Sequence, residues 1–265
     1  MRSIEDYIKD SYYYITLNFK ELLPGAILYF FLGMLSGGSG LFLEKLANNY
    51  EFNLSMSIIL IITAIVVVAF FIVSFIIQGY LVRVMKTTVE GDGLAPKWNN
   101  IFDMFKKGLL YFVGSILLFI VFIFIPAVIF GVGILTFFIA APIGVIFLIL
   151  GFVLFFILIV IYGFYKSLAD VNYSLNGFFG FFDFKRIFSM MSLKYVVLVI
   201  LLGIIGVVIS SIFSFPRIIV SFLLMKYQLI SIVVDSLLYG IQMFVSFYLS
   251  VFYIRGIALY YRDRL

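Results

Sequence analysis

Few side chains in this sequence can do chemistry. It has no cysteine and no histidine, so disulfides, thiolate nucleophiles, Cys/His metal centres, haem ligation by His or Cys, and histidine acid–base catalysis are closed to it. No Walker A loop, HExxH helix or GxSxG elbow occurs either. What remains are ionisable and amide groups set in apolar runs. Arg83 and Arg255 lie 172 residues apart with Asp170 between them, each near the same end of a hydrophobic run. Brought together, an Arg–Asp–Arg cluster would bind an anionic headgroup or lock three helices; apart, they are three headgroup-facing charges. Asp235, about one turn into the last apolar run, either binds a cation or sits in the outer headgroup layer. The second is favoured because charges near helix ends reach water cheaply. Gln78 and Gln242 could hydrogen-bond a substrate, although amides more often join neighbouring helices. Glu90 and Asp92 suggest a metal, but the glycines around them read equally well as a solvated turn. No metal site, cofactor or catalytic residue is expected.

The elements that must carry these groups follow from composition. At 65% apolar and 12% charged residues, the chain departs from the roughly 45–50% and about 25% of soluble domains. Several apolar runs exceed the roughly 20 residues a helix needs to cross hydrocarbon, and none alternates with the period of a barrel strand. An all-α polytopic membrane protein results, with six spans near 22–43, 57–84, 108–131, 140–166, 194–216 and 229–257. The nearly charge-free stretch 108–165 is long enough for three passes instead of two. Two passes put fifteen Lys and Arg on one side against Lys45, Arg217 and Lys226 on the other; three passes leave ten against eight. The positive-inside rule selects six spans, with both termini in the cytoplasm and the chain in the cytoplasmic membrane. The net charge of +5 reflects this bias and needs no nucleic acid. The N-terminus has acidic residues and no apolar core before a small-residue site, so no removable signal peptide is expected.

Residues 85–108, "MKTTVEGDGLAPKWNNIFDMFKKG", form a polar island with seven charges and the only tryptophan. Gly91 and Gly93 break the helix before it, and Pro96 forbids its continuation. Asn99 or Asn100 caps a new helix with Ile101, Phe102, Phe105 and Leu109 on one face and Asp103, Lys106 and Lys107 on the other. With Trp98 at its start, this suits an amphipathic helix lying in the headgroup layer before turning into the bilayer at about Gly108. Segments from Tyr14, Asn100 and Arg186 align at a constant offset of 86 residues, sharing Ile15, Ile101 and Ile187, then Phe19, Phe105 and Met191. Gly91 and Gly177 keep the same offset. One integral membrane domain of three repeated hairpins (about 5–90, 91–176 and 177–265) is expected, each hairpin preceded by a cytoplasmic amphipathic helix. The alternative is chance similarity in low-complexity apolar sequence.

"GYLVRVMKTTVEGDGLAPKWNNIFDMFKKGLLYFV", followed about eighty residues later by "GFFGFFDFKRIF", resembles the prokaryotic membrane-protein family known as domain of unknown function 4013. The likeness rests on Gly79 and Arg83 at a span end, then Leu94, Pro96 and Trp98, Phe105 and Gly108, and the aromatic run Phe182 to Phe184. It extends over essentially the whole chain beyond about residue 20. Departures are a more basic island and the long apolar stretch from Ile125 to Phe164. The resemblance implies a multi-pass fold common in archaea and no established activity, so no catalytic residue is carried over.

Three functions fit the sequence. The first is a non-enzymatic protein that binds anionic lipid headgroups or other membrane proteins through its amphipathic segments. The second is a transporter or channel for a hydrophobic or lipid-like solute, favoured by internal repeats but short of a midplane carboxylate for ion coupling. The third, least favoured, is a membrane enzyme working with carboxylates. A buried polar cavity would favour transport, and a solid apolar bundle with a helical collar would favour binding. "GMLSGGSG" at 33–40 offers small residues for close helix contact or a loosened helix end.

Overall fold

A computed structural model describes residues 2–48, 54–224 and 228–265, and every regular element among them is helical. In chain order these are α1 (Ile4–Leu17), α2 (Phe19–Asn48), α3 (Leu54–Glu90), α4 (Ile101–Phe137), α5 (Ala141–Asn176), a short 3-10 turn (Phe178–Phe182), α6 (Phe184–Met190), α7 (Leu193–Leu223) and α8 (Gln228–Arg262). Helices α2, α3, α4, α5, α7 and α8 are long and apolar enough to cross a membrane, and the chain is an integral membrane protein. The stretch 108–165 makes two passes: α4 ends at Phe137, Ile139 and Ala140 donate their N–H groups to the Thr136 carbonyl, and Pro142 opens α5. Lys226 and the side chain of Lys45 lie outside the described residues.

Backbone chemistry sets the breaks. Helix α3 has 37 residues, about 55 Å at 1.5 Å per residue, so it outruns the roughly 30 Å of hydrocarbon. It stops at Gly91, whose φ of +100 few L side chains adopt, and α5 stops the same way at Gly177, φ +70. Helices α3, α5 and α8 end at Glu90, Asn176 and Arg262, a constant 86 residues apart. Asn100 caps α4, its own backbone left-handed at φ 50, by accepting from the Asp103 N–H. Ser3 and Asp6 form a capping box on α1.

One expectation needs correction. The segment from Ile101 is not a separate interfacial helix that turns near Gly108; α4 runs unbroken from Ile101 to Phe137. Gly108 serves an interhelical contact instead of a bend: a Cβ there would stand 1.8 Å from the Phe75 carbonyl oxygen of α3, and a Cβ on Gly79 1.8 Å from that of Met104. Among the described residues, α2 lies along α8 more extensively than along α3. Gly33 and Gly37 of the small-residue run make that contact, Gly33 against the Tyr239 carbonyl and Gly37 against Ser236. Helices α3, α5 and α8 pack pairwise, α4 packs on α3, and the Tyr195 hydroxyl of α7 donates to the Phe164 carbonyl of α5 at 2.6 Å.

Candidate functional site

Arg83, Asp170 and Arg255 do not form one cluster; each has its own partners. Arg83 donates to the Asn99 carbonyl at 2.7 Å and Oδ1 at 3.1 Å, to the Asn100 carbonyl at 3.2 Å, and to Asp103 Oδ2 at 2.8 Å. It is a strut that shapes the turn before α4. Arg255, 4% exposed, donates through Nε and Nη2 to Asp10 Oδ1 at 3.2 and 3.1 Å. Its Nη1 reaches Thr88 Oγ1 at 3.0 Å and the Asp92 carbonyl at 2.9 Å, and its guanidinium lies 4.3 Å from the Tyr14 ring centroid. Burial pushes the Tyr14 hydroxyl up to about 12, although the Arg255 charge pulls the other way. Arg255 thus joins α1, α3, α8 and the island where the two chain ends meet, with Tyr7 donating to Asp263 at 2.9 Å. Glu90 and Asp92 do not converge: Glu90 lies 3.8 Å from Lys86, and Asp92 contributes its main-chain carbonyl.

The island is packed onto the bundle. The Trp98 ring stacks on Tyr80 at 3.9 Å and its Nε1–H donates to the Glu21 carbonyl at 3.0 Å. Phe105 meets Phe75 edge to face. Just before Pro96, the Ala95 N–H donates to Asn18 Oδ1 at 2.8 Å. Buried tyrosines tie other helix ends in the same way: Tyr165 donates to the Phe181 carbonyl, Tyr173 to Lys107 and Tyr260 to Met190. Abundance of aromatics in the sequence hid this role.

Asp170 faces a polar recess. It is paired with Lys166 one turn away, and Lys166 also donates to the Tyr111 hydroxyl at 2.7 Å. Around it, Tyr29, Gln78, Ser210, Ser246, Ser250 and Tyr253, from α2, α3, α7 and α8, line a cavity of about 410 Å³. Of all its lining residues only Leu81 is fully buried, so the recess opens to the surface of the bundle. The Ser167 and Tyr253 hydroxyls, 2.6 Å apart, close its α5 side.

A second recess, about 470 Å³, follows along the same pair of helices, lined by Ser214, Arg217, Asp235 and Gln242. Arg217 grips Asp235 from α7 with Nε at 2.6 Å and Nη2 at 3.0 Å, and lies 4.3 Å from the Tyr239 ring centroid. Asp235 therefore belongs to a bidentate pair between α7 and α8. Between the recesses, Gln242 Nε2–H donates to Ser214 Oγ at 2.8 Å, while Gln242 Oε1 is buried and accepts no hydrogen bond among the described residues. The hydroxyls of Ser214, Ser246 and Ser250 donate to carbonyls one turn back on their own helices; Ser214 Oγ also accepts from Gln242, while Ser246 and Ser250 keep acceptor capacity.

The two recesses share no lining residue and are separated by the Gln242–Ser214 hydrogen bond, but together they mark a polar seam between α7 and α8. On α8 it follows Asp235, Gln242, Ser246, Ser250 and Tyr253, with Tyr239 against Arg217, and on α7 Gly206, Ser210, Ser214 and Arg217. From Asp235 to Tyr253 it is about 27 Å long at 1.5 Å per residue, most of the roughly 30 Å of hydrocarbon. Sequence reading isolated Gln78, Asp170, Asp235 and Gln242 but missed Arg217 as partner and the serines between. The available signal was the recurrence of polar or small residues every three or four positions on both helices.

The chain matches the family model described as "Protein of unknown function (DUF4013)" over residues 62–221. It is 41% identical over 273 residues to "Uncharacterized protein MJ0233" of Methanocaldococcus jannaschii, covering 100% of this chain and 99% of that one. It is 36% identical over 281 residues to "Uncharacterized protein MJ1189" of the same organism, covering 100% and 98%. No solved structure matches.

Proposed function

We propose, for a chain that belongs to the DUF4013 family of proteins of unknown function, that it is a non-enzymatic membrane protein handling a lipid-like amphiphile, whose polar headgroup travels along the α7–α8 seam while its apolar tail stays in the bilayer. The observation that carries this reading is the seam: hydroxyl, amide and charged groups at every turn across nearly the thickness of the hydrocarbon, on a path open to the side. A polar group in hydrocarbon needs partners at each step, and serine oxygens spaced one turn apart supply them. The α5 span offers nothing comparable, and Asp170 and Asp235 stand toward opposite ends of the path, which suits passage of a headgroup better than coupling to an ion bound midway. An apolar groove of about 360 Å³ between α1, α7 and α8, lined by Tyr12, Ile205, Ile209 and Leu249, gives a tail a place beside the seam.

This reading takes the ends where the termini meet as cytoplasmic, in agreement with the lysine and arginine distribution. It also takes the chain as three repeats. The constant spacing of the ends of α3, α5 and α8 supports this, as do α2 on α8 and α4 on α3, each resting on the outgoing helix of another unit, whereas α7 packs chiefly on α8 of its own unit and meets α5 through Tyr195. A role in binding other membrane proteins is favoured by a different feature, the collar of exposed Leu94, Phe102, Phe179 and Leu193, each 77–81% exposed.

The test is transbilayer movement of a headgroup-labelled phospholipid in proteoliposomes, read by a membrane-impermeant quencher. Movement is expected to exceed that of protein-free vesicles and to fall back toward it in Ser246→Leu and Ser250→Leu. Ser211→Leu, exposed and off the seam, should leave it unchanged. Vesicles with folded protein that move lipid no faster than empty ones would overturn the transport reading and leave the collar as the site of interest.

A further inference from the structure

A separate recess of about 350 Å³ beside α3, α4 and α5 holds Arg83 and Lys86 of α3 and Lys106 and Lys107 of α4, with Asp103 the one carboxylate in its lining. We propose that this recess is a binding site for a phosphate-bearing headgroup of an anionic lipid, independent of the seam and of what the seam carries. With Glu90 beside Lys86 at 3.8 Å, the recess still carries more positive than negative charge, and an anion placed in it would be attracted.

The donors sort by what already occupies them. Arg83 is spent on Asn99, Asn100 and Asp103, and Asp103 is shared between Arg83 at 2.8 Å and Lys107 at 2.9 Å. The Tyr173 hydroxyl donates to the Lys107 carbonyl at 2.6 Å, and Ser174 to the Val171 carbonyl. Two ammonium groups, those of Lys86 and Lys106, are less committed than that of Lys107. Lys86 reaches Glu90 only at 3.8 Å, and Lys106, exposed, forms no ion pair among the described residues. A site whose spare donors are ammonium groups selects an acceptor-only anion, and phosphate fits.

The surroundings say which phosphate. Val82, Leu110 and Phe178 floor the recess, and from it α4 presents Leu109, Leu110 and Val113, 36–40% exposed, along the face that enters the membrane. A headgroup held by the lysines leaves its chains on that apolar face, whereas free phosphate has no use for it. Basic recesses between spans at the membrane surface are where anionic headgroups bind.

The experiment follows thermal unfolding of the full chain by the fluorescence of Trp98, its only tryptophan, in detergent titrated with phosphatidylglycerol, with phosphatidylcholine of the same chain length, or with sodium phosphate. Phosphatidylglycerol is expected to raise the midpoint and phosphatidylcholine to leave it. The triple variant Lys86→Gln, Lys106→Gln, Lys107→Gln should keep the lipid-free midpoint, since these side chains are largely exposed, but need about a hundredfold more phosphatidylglycerol. The matching triple arginine variant should respond as the native chain does. A full response to sodium phosphate alone would assign the recess to a soluble phosphate and overturn the lipid. An equal response of the glutamine and native chains to phosphatidylglycerol would overturn the site.

Discussion

Lys166 and Asp170, one turn apart on α5 and each 17% exposed, show why the charges of this chain are held in pairs. Removing one partner from a desolvated pair strands the other charge. Asp170→Asn is expected to lower stability in detergent by about 3 kcal/mol, and the double variant Lys166→Met, Asp170→Leu to regain most of it, as a double-mutant cycle of unfolding midpoints would measure. Arg255→Lys keeps the charge but cannot reach Asp10, Thr88 and the Asp92 carbonyl together. A loss of about 2 kcal/mol is expected by the same assay, and no loss would mean that the planar fork is not needed there. Sequence alone marked both residues because charges in apolar runs are conspicuous. Their partners were not legible: Asp10 lies 245 residues from Arg255, and only the fold brings them together.

Helix ends were easier to read than helix contacts. Gly91, Gly177 and the cap at Asn100 act locally, so their effect is written in adjacent residues. The continuity of α4 through Gly108 was not, because an amphipathic first turn reads the same whether a helix lies in the interface or packs on a neighbour. The deciding contact is with Phe75, 33 residues earlier. Gly79→Ala and Gly108→Ala put a methyl group into backbone of the facing helix and should each cost about 3 kcal/mol or prevent folding. Gly163→Ala and Gly203→Ala, where nothing lies within 4 Å of the added carbon, should be neutral or slightly stabilising. Comparing the four by thermal unfolding separates glycines that pack from glycines that merely occur.

Across the whole molecule, six spans and their number of passes followed from apolar length and from where the lysines and arginines fall, both of which depend on the solvent more than on packing. The seam escaped notice because single serines are unremarkable in a membrane helix; it becomes a path only when α7 and α8 align two rows of them, with Arg217 and Asp235 toward one end and Asp170 toward the other. That alignment is the centre of the functional proposal, and the absence of native cysteine makes it directly testable. The measurement is the rate at which a membrane-impermeant thiol reagent labels single-cysteine variants in proteoliposomes: Ser214→Cys, Ser246→Cys and Ser250→Cys on the seam, and, on α5, Phe156→Cys, where the native side chain is 63% exposed on an apolar stretch. Seam positions labelled much faster than Phe156→Cys are the expected result, because a path for a headgroup must admit water. Seam positions as unreactive as Phe156→Cys would contradict it.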